Sequence, residues 1–244
     1  MRTRRTLALA AVAGGMTLLP GAASIAAQEL EPVKPLRAVA GAGLNIARPV
    51  GEFQDYVGTG WGLSGHFALR LDPAGVINLR ADGGFIVYGH EKKRVCFSST
   101  VGCRIELDLT TSNNIGYFNF GPELAVPGGP VQPYFNASLG FSWFGTVSSV
   151  DGIGSDDEDI ASTTNFEDFT FAWQAGTGVR VPLPIGTTPI FIDLGARYNL
   201  NGRVEYLTEG GIIDHPDGSI TLNPITSDAN LLTFIIGASF GVRW

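Results

Sequence analysis

Residues 131–148 read VQPYFNASLGFSWFGTVS. Val131, Pro133, Phe135, Ala137, Leu139, Phe141 and Trp143 take every second position, with Gln132, Tyr134, Asn136, Ser138, Gly140 and Ser142 between them. In an extended strand, successive side chains point to opposite faces, so this stretch has one apolar face and one small, polar face. A helix would place its apolar residues three and four apart instead.

The same period recurs along the chain. Trp61, Leu63, Phe67, Leu69 and Leu71 oppose Gly62, Ser64, His66, Ala68 and Arg70. Phe169, Phe171, Trp173, Ala175, Val179 and Val181 oppose Thr170, Gln174, Gly176, Gly178 and Arg180. Ile190, Ile192, Leu194, Ala196, Tyr198 and Leu200 oppose Asp193, Gly195, Arg197 and Asn199. The final stretch sets Leu232, Phe234, Ile236, Ala238, Phe240, Val242 and Trp244 against Thr233, Gly237, Ser239, Gly241 and Arg243. Weaker alternation at 36–47, 76–89 and 115–125 brings the total to eight stretches. Just before the fourth, Ile105, Leu107 and Leu109 alternate with the opposite parity, which predicts a bulge or break near Asn113–Asn114.

The polar positions decide between two architectures. A water-facing strand surface would be rich in Lys and Glu. Here it is Gly, Ser, Thr and Asn with isolated ions: Arg70, Arg80, Asp82, Glu123, Arg180, Asp193, Arg197 and Arg243. Small residues with a few charges of both signs suit a crowded interior in which each ion finds a partner. The apolar set then faces lipid. Composition agrees: 33 of 244 residues are glycine, and charged residues are 16 % against a usual figure of about 25 %. A soluble sandwich with the faces inverted is the competing reading.

Connection lengths supply a second argument. The links at Asp72–Gly75, Pro127–Pro130 and Pro184–Pro189 are short and carry the Gly and Pro of tight turns. The alternate links are polar and longer, about 10 to 25 residues, which is the short-turn, long-loop pattern of an outer-membrane barrel. The fold expected is all-β: an eight-stranded antiparallel up-and-down transmembrane barrel over residues 36–244.

The N-terminus reads as an export signal. Arg2, Arg4 and Arg5 precede an apolar run from Leu7 to Leu19, and small residues Ser24 and Ala26 follow. That run is shorter than the ~20 residues of a membrane-spanning helix, so residues 1–27 are expected to be cleaved. Residues 28–35 would form a short periplasmic segment. Cys96 and Cys103, the two cysteines, are expected to pair in that oxidising compartment.

The last strand, with Gly237, Phe240, Val242 and a terminal Trp244, carries a resemblance. Together with the Gln132-Pro133-Tyr134 start of a Gly/aromatic strand, it resembles the small outer-membrane β-barrel family. That family includes the membrane domain of outer membrane protein A. The resemblance implies that the barrel-assembly machinery recognises this C-terminal strand. It also implies contact with outer-membrane lipid and lipopolysaccharide in a Gram-negative-type bacterium. No peptidoglycan-binding domain is seen after the barrel, so a cell-wall anchoring role is not implied.

A net charge of −7 excludes a general nucleic-acid binder, which needs a basic face. The arginines, Asp82, Glu123 and Asp193 are expected to form an interior network that plugs the lumen, which in an eight-stranded barrel is just wide enough for side chains. His66 lies on the inner face beside Ser64, while His90 and His215 fall near or in outer loops. Asp156, Asp157, Glu158 and Asp159 form an acidic loop, a weak candidate for a divalent cation without the EF-hand spacing. No cofactor is implied. The function expected is non-enzymatic, structural or surface-interacting through the long loops. A small pore or conduit, and a hydrolase using loop histidines, are the alternatives.

Overall fold

The computed structural model of the protein describes residues 36–96, 106–151, 159–215, 217 and 219–243. Strands β1 (Ala38–Pro49), β2 (Gly60–Arg70), β3 (Ile77–Cys96), β4 (Glu106–Ala125), β5 (Gln132–Asp151), β6 (Asp159–Leu183) and β7 (Ile190–Asn201) come first. Four short strands follow: β8 (Arg203–Tyr206), β9 (Ile212–Asp214), β10 (Ile220–Leu222) and β11 (Ile225–Asp228). Strand β12 (Leu231–Val242) completes the set, and one 3-10 turn, η1 (Gly51–Asp55), lies between β1 and β2.

Eight strands close into an antiparallel barrel in the order β1-β12-β7-β6-β5-β4-β3-β2. Closure joins first strand to last: Ala38 pairs with Val242 and Gly43 with Gly237. A Cβ on Gly237 would collide with the Ala42 carbonyl and the Gly43 backbone, so this seam admits only glycine. The short links fall where the sequence puts them, between β2 and β3, β4 and β5, and β6 and β7. Each contains a glycine at positive φ, namely Gly75, Gly128 with Gly129, and Gly186, which a residue with a Cβ rarely adopts. In the first turn Asp72 accepts the Ile77 N–H at 2.7 Å. That bond holds its carboxyl below the ordinary range.

The outward face is apolar. Trp61, Leu63, Phe135, Phe141, Phe171, Trp173 and Ile236 are between 51 and 64 % exposed. The inward face is small and polar, with Arg80, Asp82, Asn119, Glu123 and Asn136 at 1 % or less. This is the facing read from the alternation.

Two expectations are corrected. Strands β3, β4 and β5 have 20 residues and β6 has 25, against 11 or 12 for β1, β2, β7 and β12. A span needs only about 9–11 residues, so β3–β6 rise well beyond it as a wall at the long-loop end. Much of what reads as loop in the sequence is therefore strand.

The second concerns β4. The bulge expected near Asn113–Asn114 is present in the β3–β4 ladder, but its extra residue is not on β4. The irregularity lies opposite them on β3, where Tyr88 is the extra residue between Val87 and Gly89. Inner positions Leu109, Thr111 and Asn113 continue the face of Ile115 and Tyr117, while outer positions change from Phe120 and Phe118 to Ser112, Asp108 and Glu106. The backbone holds its parity and the apolar side chains change faces.

Candidate functional site

The lumen is built in two layers. Near the turn end, strands β2 to β7 point ions at one another. Arg80 and Asp82 sit two apart on β3, hence on one face, and Arg80 Nε donates to both Asp82 carboxylate oxygens at 2.9 Å. Arg80 Nη1 donates to Glu123 Oε2 on β4 at 2.6 Å. From β6, Arg180 grips the same carboxylate with two nitrogens, at 3.0 and 2.7 Å. Its Nε also lies 3.5 Å from Asp193 Oδ2, and Arg197 Nη2 on β7 donates to Asp82 Oδ1 at 2.6 Å.

Tyr134 on β5 ties these together. Its ring lies 5.1 Å from the Arg80 guanidinium and 4.3 Å from that of Arg180, and its hydroxyl donates to Asp193 at 2.8 Å. Three arginines thus meet three carboxylates, and His66 Nε2 lies 3.5 Å from Asp193 Oδ2. Isolated buried charges would be expensive, and each ion here has partners of opposite sign.

Above this layer the inner face turns apolar. Ile86, Ile115 and Phe144 are 0 or 1 % exposed, and η1 drops Phe53 onto them. The Phe53 ring stands edge-on to Tyr206 at 5.0 Å, Tyr88 at 5.8 Å and Phe144 at 6.1 Å. Val204 and Leu207, from the segment after β7, close the layer.

Of the eight candidate interior ions, six meet in this network. Arg70 and Arg243 do not. Arg70 ends β2 half-buried at the barrel mouth, and Arg243 lies exposed beyond β12, donating to the Thr187 carbonyl at 3.2 Å. Both sit past the enclosed section that holds the network. Tyr134 and Phe53 were missed. Tyr134 shows a signal, a lone aromatic in a polar inner set; Phe53 sits in a polar loop and shows none.

The remaining candidates stay apart. Ser64 Oγ donates to Asn45 Oδ1 at 2.8 Å, while His66 Nε2 lies 3.5 Å from Asp193 Oδ2. His90 is exposed, with its backbone N–H on Glu209 at 3.3 Å, and His215 Nε2 lies 2.8 Å from Thr221 Oγ1. Among the described residues, no cluster of His, Cys, Asp or Glu is arranged to hold a metal ion. Asp156, Asp157 and Glu158 lie outside the described residues, and Asp159 is the first residue of β6. No described cysteine is free; Cys96 ends β3, and Cys103 lies outside the described residues. Gly237, Phe240 and Val242 lie on β12, with Phe240 49 % exposed, while Trp244 and the segments 1–27 and 28–35 are outside the described residues.

No protein-family model matches the chain, and no curated protein does. Among solved structures it is similar to Ail, the attachment invasion locus protein of Yersinia pestis, at 14 % identity and a TM-score of 0.43. That match covers 85 % of this chain and 99 % of Ail. It is similar to OprG of Pseudomonas aeruginosa at 12 % identity and a TM-score of 0.44, covering 86 and 98 % of the two chains. A major outer membrane protein of Thermus thermophilus matches at 14 % identity and a TM-score of 0.45, covering 84 and 99 %.

Proposed function

We propose that the chain is an integral outer-membrane barrel with a non-enzymatic, structural and surface-interacting role carried by its long-loop end. A barrel satisfies every backbone hydrogen bond without water, which is what a strand protein needs in hydrocarbon. The outward belt of Phe, Trp, Leu and Ile suits lipid, and the switch of faces along β4 is what a strand leaving hydrocarbon for water requires. There the outer face carries exposed ion pairs such as Lys92–Asp108 at 3.1 Å. Outer-membrane lipid and lipopolysaccharide would surround the belt. The assembly machinery would act on β12, and a Cys96–Cys103 bridge would tie the tip of the β3–β4 hairpin.

One observation carries the reading against a pore: an ion layer and an apolar layer both fill the lumen, with Glu123 and Phe53 each at 0 % exposure. Reconstitution into planar bilayers tests it. The expected trace is silent in salt; steady unitary conductance from the unaltered chain would favour the pore instead.

A further inference from the structure

The turn end of the barrel has its own charge. The chain as a whole carries −7, yet its three tight turns contain a single ionised residue, Asp72. Three arginines stand around them: Arg37 just before β1, Arg70 at the end of β2 and Arg243 just after β12. Backbone bonds make these positions neighbours. The Arg37 N–H donates to the Val242 carbonyl, and the Arg70 N–H to the Arg37 carbonyl, both at 2.9 Å. Among the described residues this end is therefore net positive, in a protein that is acidic overall.

Two of the three line a hollow of about 280 Å³, together with Leu36, Leu71, Asp72 and Pro73. Arg243 is engaged elsewhere, on the Thr187 carbonyl. A Cβ on Gly75 would lie 2.7 Å from the Arg70 guanidinium carbon, so that group rests against the β2–β3 turn. Among the described residues, neither Arg37 nor Arg70 donates a side-chain hydrogen bond or forms an ion pair. Asp72 is the one carboxylate on the hollow, and its Oδ1 accepts the Ile77 N–H. Two guanidinium groups against one carboxylate leave the hollow positive. Each guanidinium offers a planar fork of donors that matches phosphate oxygens two at a time.

The rest of the lining bears on what carries the anion. Leu36, Leu71 and Pro73 are apolar, and Leu71 is 58 % exposed. With Ile77, Val126 and Ile185, Leu71 ends the outward apolar belt at the turns. Headgroups occupy the layer just past the hydrocarbon core, so a guanidinium beside the last leucine of the belt lies at headgroup depth. A free anion would use the arginines alone. An anionic amphiphile uses the arginines and the apolar lip together. The volume is just below the roughly 300–1,000 Å³ of sites that enclose a whole drug-sized ligand, so it suits a headgroup whose chains run along the belt outside.

We propose that this hollow binds the phosphodiester headgroup of an anionic phospholipid in the leaflet at the turn end, with Arg37 and Arg70 on the phosphate and Leu36 and Leu71 beside the glycerol and first acyl carbons. The proposal rests on the outer-membrane barrel reading and adds one defined lipid contact to it.

The test uses the full chain refolded in an uncharged detergent. Dihexanoyl phosphatidylglycerol is titrated by calorimetry, with dihexanoyl phosphatidylcholine and inorganic phosphate as comparisons. Saturable binding of the phosphatidylglycerol is expected, at least about fivefold tighter than either comparison and weaker as salt rises. Arg37→Gln and Arg70→Gln should each weaken it about tenfold, while Arg243→Gln, outside the hollow, should change it less than about twofold. No saturable binding of phosphatidylglycerol overturns the proposal. Inorganic phosphate binding as tightly also overturns it, because the site would then take free anions, and so does phosphatidylcholine binding as tightly. An equal loss in all three variants would overturn it too, by making the attraction a property of the whole rim. If binding fails but the unboiled chain still migrates as a folded barrel, the barrel reading stands and the lipid site does not. If that migration is lost too, both fall.

Discussion

Arg180 on β6 and Glu123 on β4 meet across the lumen as a two-pronged pair, Nη1 to Oε1 at 3.0 Å and Nη2 to Oε2 at 2.7 Å. Their strands are separated by β5, so the pair braces the barrel through its interior rather than along its wall. Arg80 on β3 reaches the same carboxylate at 2.6 Å, making Glu123 the shared anchor of two guanidinium groups.

Glu123→Gln therefore leaves two buried cations short of an anion. Breaking one side of a buried ion pair costs about 3–5 kcal/mol, so the urea midpoint for unfolding from vesicles should fall sharply. Asp108→Asn breaks the exposed pair with Lys92 and should cost about 0–1 kcal/mol. Equal midpoints for the two variants would contradict the network.

Phe141, 51 % exposed on β5, faces outward with no protein over it. Phe141→Arg should cost about 2–4 kcal/mol of folding free energy in vesicles if that face meets hydrocarbon. Ser149→Arg, on the same strand beyond the belt, should cost little. A harmless Phe141→Arg would mean that the belt meets water.

Phe53 caps the apolar layer through three ring contacts and is 0 % exposed. Phe53→Ala should cost about 3–5 kcal/mol and expose the 50–59 segment to limited proteolysis. The ion layer below is untouched, so bilayer recordings of this variant should stay silent. Conductance appearing in Phe53→Ala alone would show that the arginines and carboxylates do not seal the lumen.

At the opposite end, the Asp72 carboxylate is held below its ordinary pKa of 3.8 by the Ile77 N–H. A depressed pKa in the folded state stabilises above the unfolded value, and the effect fades as pH falls through the folded one. The β2–β3 turn should thus loosen only below pH ~4, a window set by the unperturbed Asp value. Asp72→Asn should loosen it at neutral pH as well. Amide exchange at Ile77 measures both.

The strand count, the facing and the three tight turns were legible because period two and Gly/Pro punctuation are local signals. Asp193 and Arg197 could be placed inside from spacing alone. Their partners could not, since pairing Arg197 with Asp82 requires the barrel to close. The extent of β3–β6 was hidden because beyond the belt the apolar set moves to the inner face, and Leu107 and Leu109 then resemble a register break. Phe53 was illegible for a different reason. Its burial depends on η1 folding back into the mouth, and nothing in GEFQD marks that.

The central claim is a closed barrel with its apolar face in lipid. Gel migration of the outer-membrane fraction, unboiled against boiled, tests it most directly. A folded barrel resists detergent, so the unboiled chain should run at a different apparent size and shift on heating. Identical migration with and without boiling, and recovery of the chain from the soluble fraction, would contradict the account.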